Sequence, residues 1–377
     1  MRGGLYRERA SGVIGFLRLR CGDCAHEKLV AFSCKRRGCC PACGARRMAE
    51  TAAHLVEHVM PQVPVRQWVV SCPIPLRHLF ATQPQLLSPV LQVIHRALST
   101  FVITHAGLTR KQAQTGAVTL IQRFGSAANL NIHLHGLLLD GVYRLTDSGP
   151  VFQAIPAPSA EQLQTVLTRI ITRILKILTR NGALIEEHGL PYLVDPDADP
   201  SLAPLHVAAC TYRIALGPRA GQKVLTWKDP SLRLASQEMP QSQGCVSAQG
   251  FSLHADTRCA PQQRQTLERL CRYITRPALG HKRLSRTPAG EVVLQLKTPY
   301  RDGTTHLVMT PLEFLQRLAA LVPRPRLHLI RFHGVLAPNT ALRAQIVPSE
   351  AEPAPNTDEG NGECSAASTR ARMSWPH

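Results

Sequence analysis

The chain has 377 residues, 44% of them hydrophobic and 18% charged, which suits one large or two smaller globular domains and excludes a wholly disordered protein. No run approaches about 18 consecutive apolar residues, so no membrane span is expected, and the basic N-terminus MRGGLYRERASG lacks the apolar segment of a secretory signal. Lys and Arg total 44 against 25 Asp and Glu, a net charge of +19 that implies a polyanionic partner and says nothing about fold.

That excess is concentrated in two places. Residues 1–47 carry 11 basic and 3 acidic side chains, and residues 264–343 carry 14 and 4. Both blocks mix these charges with apolar residues, so they read as folded basic surfaces. Nucleic acid is the leading partner, because no basic amphipathic helix with aromatic anchors lies at a terminus to favour a membrane.

Within the first block, six of the 12 cysteines fall between residues 21 and 43. Cys21 and Cys24 form one C-x2-C pair and Cys40 and Cys43 another, separated by 15 residues. Each pair presents two thiolates to one face of a tetrahedral ion, so the segment reads as a zinc ribbon, with Cys34, Cys39 and His26 as alternative ligands. Metal ligation contributes on the order of 10 kcal/mol to the folding of so short a unit. Lys35, Arg36, Arg37, Arg46 and Arg47 are interleaved with the cysteines and suit phosphate contacts; a solvated structural knuckle is the alternative. Cys72, Cys210, Cys245, Cys259 and Cys271 read as small buried hydrophobes.

Further along, residues 65–73 are β-rich and stop at Pro73, and 86–105 read as a helix. Residues 116–125 and 129–143 form two strand candidates joined by a short Ser/Ala/Asn connection, which predicts an antiparallel hairpin. Ser159 and Gln162 match a capping box for a helix to about Arg180, with Leu163, Val166, Leu167, Ile170, Ile174 and Leu178 on one face. Residues 183–260 show little periodicity and read as irregular. A helix from about Pro261 to Thr275 is stopped by Pro277. Residues 291–298 and 304–310 flank an RDG turn, 311–321 read as a helix and 326–334 as a strand. From Pro348 the chain is rich in Glu, Pro, Ser and Gly, a disordered composition.

Two short stretches carry chemistry. In NIHLHG, His133 and His135 are two apart on a strand, so both imidazoles leave the same face and are placed to hold a divalent cation if a third ligand arrives; two incidental histidines are the alternative. Gln122, Asp140 and His254 are candidates for that third ligand. In LERLCRYITRP, Tyr273 lies near a helix end among Arg269, Arg272 and Arg276. Its hydroxyl is a candidate nucleophile toward a phosphodiester, with the guanidiniums offsetting phosphate charge; a tyrosine packed by its ring is the alternative.

The basic cysteine segment (21–71), the hairpin with its histidines (116–143), the stretch LERLCRYITRPAL (267–279) and residues 302–339 occur in one order. Together they resemble the HUH-type single-strand transposases of the insertion sequence ninety-one family, in the branch with an N-terminal zinc-binding domain. The resemblance implies an α+β chain: a small zinc-ribbon domain over 1–64, an HUH-nuclease-like antiparallel sheet flanked by helices over 65–347, and a disordered tail over 348–377. It makes His133 and His135 the metal pair and Tyr273 the nucleophile. Two-tyrosine relatives carry a second tyrosine four residues earlier, where this chain has Arg269, so it resembles the one-tyrosine variant; its leader before the ribbon is also shorter than in most relatives. The implied activity is nicking and joining of single-stranded DNA or hairpin element ends through a covalent 5'-phosphotyrosine, with structural Zn2+ and catalytic Mg2+ or Mn2+. No nucleotide cofactor or membrane partner is expected, and the location is cytoplasmic and DNA-associated. The rival expectations are a non-catalytic zinc-ribbon DNA-binding regulator and a replication or mobilisation nickase of the same chemistry.

Overall fold

The computed structural model describes residues 16–20, 27–31, 40–187, 190–194, 202–229, 244–300, 302–324 and 327–348. Cys21, Cys24, Lys35, Arg36, Arg37 and nearly all of the expected tail lie outside them. The architecture is mixed helix and antiparallel sheet.

A strand pair, β1 (Phe16–Arg20) and β2 (Glu27–Ala31), precedes helix α1 (Pro41–His58). Cys40 caps that helix, its Sγ accepting from the Cys43 N–H at 3.5 Å, and Pro41 occupies the first turn, where its missing N–H is not needed. Then come β3 (Val65–Ser71), α2 (Ile74–Thr82) and α3 (Leu87–His105). Pro84–His105 is long and apolar enough to cross a membrane by length and composition. Here it is a core helix, burying Val90, Leu91, Ile94, Leu98, Phe101 and Val102.

The expected hairpin follows β4 (Ala113–Gln114) as β5 (Gly116–Phe124) and β6 (Leu130–Leu139). It ends earlier than the sequence predicts. At Asp140 the backbone N–H bonds the Pro64 carbonyl, and the chain leaves as β7 (Gly141–Thr146), which pairs with β4 and β8 (Gly149–Ala154) in a separate sheet. Helix α4 (Ala160–Arg180) has the predicted capping box and buries the predicted stripe.

Residues 183–260, expected to be irregular, contain short elements: β9 (Leu184–Glu187), β10 (Leu190–Leu193), α5 (Ala203–Cys210), β11 (Leu225–Lys228), β12 (Cys245–Ala248), β13 (Phe251–His254) and β14 (Arg258–Cys259). None of these strands exceeds four residues, too few for an alternation to stand out, and β11 is exposed at every position. Cys245, on an outer strand of its sheet, is only partly buried, unlike Cys72, Cys210, Cys259 and Cys271.

The chain continues as α6 (Arg264–Thr275), β15 (Leu284–Arg286), β16 (Val292–Gln295), β17 (Thr304–Met309), α7 (Pro311–Leu321), β18 (Ile330–Gly334) and α8 (Arg343–Ile346).

The central sheet runs β12-β13-β3-β6-β5-β18, with β14 on the other half of β3. Its two faces are covered differently. Trp68, Val70, Ile121, Ile132, Leu134 and Leu138 join the main core with α2, α3 and α4. Val65, Val118, Leu120, Leu137 and Leu139 form a second core with Leu55 and Met60, from α1 and just beyond it, and with Leu267, Cys271 and Ile274 of α6. Each fully buried large side chain contributes roughly 1.5–3 kcal/mol. The second core therefore holds α6 over the face of the sheet that carries the histidines.

Candidate active site

The site lies on the face under α1 and α6. Strand alternation sends His133, His135, Leu137 and Leu139 to this side, and the pairing sets Gln122 opposite His133, Leu120 opposite His135 and Val69 opposite His135 on β3. The two imidazole rings lie 4.8 Å apart at 65°. His135 is buried, and its Nε2 has no hydrogen-bond partner. Its Nδ1 accepts from the Gln67 side-chain amide at 2.8 Å. His133 donates from Nδ1 to the Asn131 carbonyl at 2.9 Å, which leaves Nε2 with its lone pair.

Both imidazoles are held neutral. Burial, then His133 and Arg276, lower the His135 pKa to about 3; burial is also the main cause of the lowered value at His133, with Arg77 and Arg276 adding to it against the Asn131 contact. A neutral ring is the form that ligates metal.

Tyr273 comes from the last turn of α6. That helix buries Leu267, Cys271 and Ile274 and leaves Tyr273 41% exposed, its ring perpendicular to that of His135 at 6.3 Å. Two cations cover the ring: the Arg276 guanidinium at 4.3 Å and Lys297 Nζ at 4.6 Å. Gln122 Nε2 donates to the Ile274 carbonyl at 2.9 Å, tying the hairpin to the residue after the tyrosine.

The other expected residues are more dispersed. Arg269 is exposed on α6, Arg272 pairs with Glu268 at 2.7 Å, and Arg46 pairs with Glu50 at 3.6 Å on α1. Among the candidate third ligands, Asp140 is already engaged: it is buried and accepts from Arg66 at 2.8 and 3.0 Å and from Arg258 at 2.6 Å. His254 sits on β13, beyond β3, half-exposed and 3.9 Å from Asp256. Among the described residues no group of three His, Cys, Asp or Glu side chains is gathered for a metal. The side-chain amides set against the pair are Gln67, bonded to His135, and Gln122, opposite His133. Gln67 and Lys297 were missed by the sequence reading. The available signal for Gln67 was a glutamine beside an arginine in a short β-rich strand, VRQWVVS.

The cysteine segment reaches this site through α1. A Cβ on Gly44, one residue after Cys43, would lie 2.6 Å from Pro277 Cβ, so the first turn of α1 abuts the chain just past Tyr273. Gly44→Val is expected to cost about 1–3 kcal/mol, read as a lower denaturation midpoint, because the proline ring has no rotamer to yield. An unchanged midpoint would show that the contact is not tight.

Comparison with known proteins agrees with this order of parts. The family model described as "Putative transposase" matches residues 116–343, and the model described as "Transposase zinc-binding domain", of insertion sequence ninety-one type, matches residues 8–72. No curated protein and no solved structure matches the chain. Since the first match spans more than half of the residues and the second supplies the N-terminal zinc-binding segment, the chain belongs to this transposase family, in its insertion sequence ninety-one type.

Proposed function

We propose that the protein cleaves and rejoins single-stranded DNA at element ends, with Tyr273 as the nucleophile of an HUH-type reaction. The observation that carries the reading is the meeting of Tyr273 with His135 from two separate elements, the tyrosine ring lying between two cations and a buried imidazole nitrogen left without a partner. A DNA-binding regulator has no use for that arrangement. A replication or mobilisation nickase has the same use for it, and membership of a transposase family favours transposition.

In the proposed step, the Tyr273 hydroxyl attacks the scissile phosphorus and loses its proton to solvent, the bond to the 3' oxygen breaks, and that oxygen takes up a proton from solvent. The products are a 5'-phosphotyrosine and a free 3'-hydroxyl. The ester retains the bond energy, so a later 3'-hydroxyl reverses the step without ATP. Arg276 and Lys297 hold the phosphate in line beside the ring and offset its growing charge.

The residues fit a divalent cation: two neutral imidazoles, an orphaned Nε2 on one, and amide groups beside both. Mg2+ or Mn2+ held by His133 and His135 would supply Lewis-acid polarisation of the phosphate. Zinc belongs to the cysteine segment, where Cys40 and Cys43 stand at the start of α1.

Gln67 has a specific part in this. As placed, its amide donates to Nδ1 and the proton of His135 sits on Nε2. Turned end for end, the isosteric amide accepts from Nδ1–H and frees the Nε2 lone pair. Gln67→Leu is therefore expected to weaken Mn2+ binding about 10- to 100-fold in a calorimetric titration, with the fold intact; unchanged affinity would remove Gln67 from the account.

Incubation with single-stranded and duplex oligonucleotides of terminal element sequence tests the function. Cleavage of the single strand only, dependent on Mn2+ and stopped by chelator, is expected. Tight binding of every such strand without cleavage would leave the regulator.

A further inference from the structure

The second sheet, β11-β17-β16-β15, turns one face inward, with Leu294, Leu307 and Met309 in the main core. Its other face is closed at Val293 and Val308 and open at the end where pairing lines up Trp227, His306 and Gln295 across three strands. Trp227 is 49% exposed, and its ring lies 5.6 Å from that of His306. Leu225, two residues earlier on the same face, is 51% exposed. The two together leave a small apolar patch open on this face.

Two observations point to the occupant. First, this sheet and its connections carry Lys282, Arg283, Arg286 and Lys297 against Glu291 and Asp302, and Asp302 already pairs with Lys228 at 2.8 Å. Second, the row leads to the candidate active site: Arg283 donates to the Gln295 carbonyl at 2.8 Å, and Lys297, two residues beyond Gln295, covers the Tyr273 ring. Followed across two strand spacings and then two residues past the end of β16, the path is roughly 16 Å long. At roughly 3.4 Å per stacked nucleotide, that distance covers about five nucleotides.

We propose that this face is a stacking platform for the bases of the single strand flanking the cleaved phosphate. Trp227 is the principal stacking surface, His306 the second, and Gln295 hydrogen-bonds a base edge. Lys297 passes the backbone to Tyr273. Aromatic rings with a basic border suit bases of any identity, and a base in a duplex has no free face to offer. This inference rests on the single-strand reading above.

The test uses full-length protein carrying Trp375→Phe. Of the three tryptophans this leaves buried Trp68 and exposed Trp227 as emitters. Oligo(dT) of 20 nucleotides, about four times the span of the platform, is expected to quench the fluorescence, and duplex of equal length is not. Trp227→Leu is expected to abolish the quench and weaken single-strand affinity about 5- to 100-fold, with Trp227→Tyr recovering most of it. Binding of oligo(dT) by Trp227→Leu at wild-type strength would overturn the platform. If that variant still formed the Tyr273 adduct with element-end strands, the cleavage reading would stand alone. Loss of self-association in Trp227→Leu with DNA affinity unchanged would assign the face to a second copy of the chain and overturn the proposal as well.

Discussion

Tyr273→Phe is expected to lower single-strand cleavage by roughly 10,000-fold or more, the scale seen when a covalent nucleophile is removed, while leaving DNA affinity within about twofold. Such a loss corresponds to about 5.4 kcal/mol of transition-state stabilisation. The split between rate and affinity follows from the ring. Phenylalanine keeps the aromatic face that lies against Arg276 and Lys297 and the perpendicular contact with His135, so the site retains its shape and its charge. Only the hydroxyl goes. Cleavage rates measured beside fluorescence-anisotropy binding curves separate the two effects. A variant that cleaves within tenfold of wild type would move the nucleophile elsewhere. One that binds poorly would mean that the hydroxyl itself helps to hold the DNA.

The second large effect concerns stability. Asp140→Ala is expected to cost about 3–5 kcal/mol, because it leaves the Arg66 guanidinium buried without its counter-ion. Arg66 and Asp140 are 6% and 2% exposed, and the pair joins the start of β3 to the point where β6 passes into β7. Arg258 approaches the same carboxylate from outside with a 41% exposed side chain, so Arg258→Ala is expected to cost under about 1 kcal/mol. Against a typical total of about 5–15 kcal/mol, the first change approaches unfolding and the second is minor. Urea midpoints of the two variants check the contrast, and similar midpoints would contradict it. Function should follow stability here: Arg66 precedes Gln67 on β3, so a loosened clamp shifts the amide that orients His135.

Asp140 also illustrates where reading the sequence stops. Its position five residues after His135 made it a reasonable metal ligand, but only the fold brings Arg66, from 74 residues earlier, and Arg258, from 118 residues later, onto its carboxylate. Lys297 is a similar case. It follows a short strand of a different sheet, and nothing in its neighbours announces Tyr273. The features that were legible are those with local physical causes. Strand alternation put His133 and His135 on one face. The Ser159–Gln162 capping box fixed the start of α4, and Pro73 and Pro277, each two residues past the element, marked the ends of β3 and α6. Helix α1 had a usable signal that the reading passed over: Pro41 in its first turn, with Ala52, Leu55, Val56 and Val59 at helical spacing under the dense pattern of cysteines. The strands from β9 to β14 had none, since two to four residues fix neither a period nor a partner.

The covalent link itself is the most direct test of the account. Wild-type protein, incubated with Mn2+ and a single-stranded oligonucleotide carrying a terminal element sequence, should be measured by intact mass and then digested. The predicted mass increase is that of the 5'-phosphorylated downstream fragment less one water, carried by the peptide that contains Tyr273 and absent from Tyr273→Phe. Strand cleavage with no change in protein mass, or an adduct on any other residue, would contradict it.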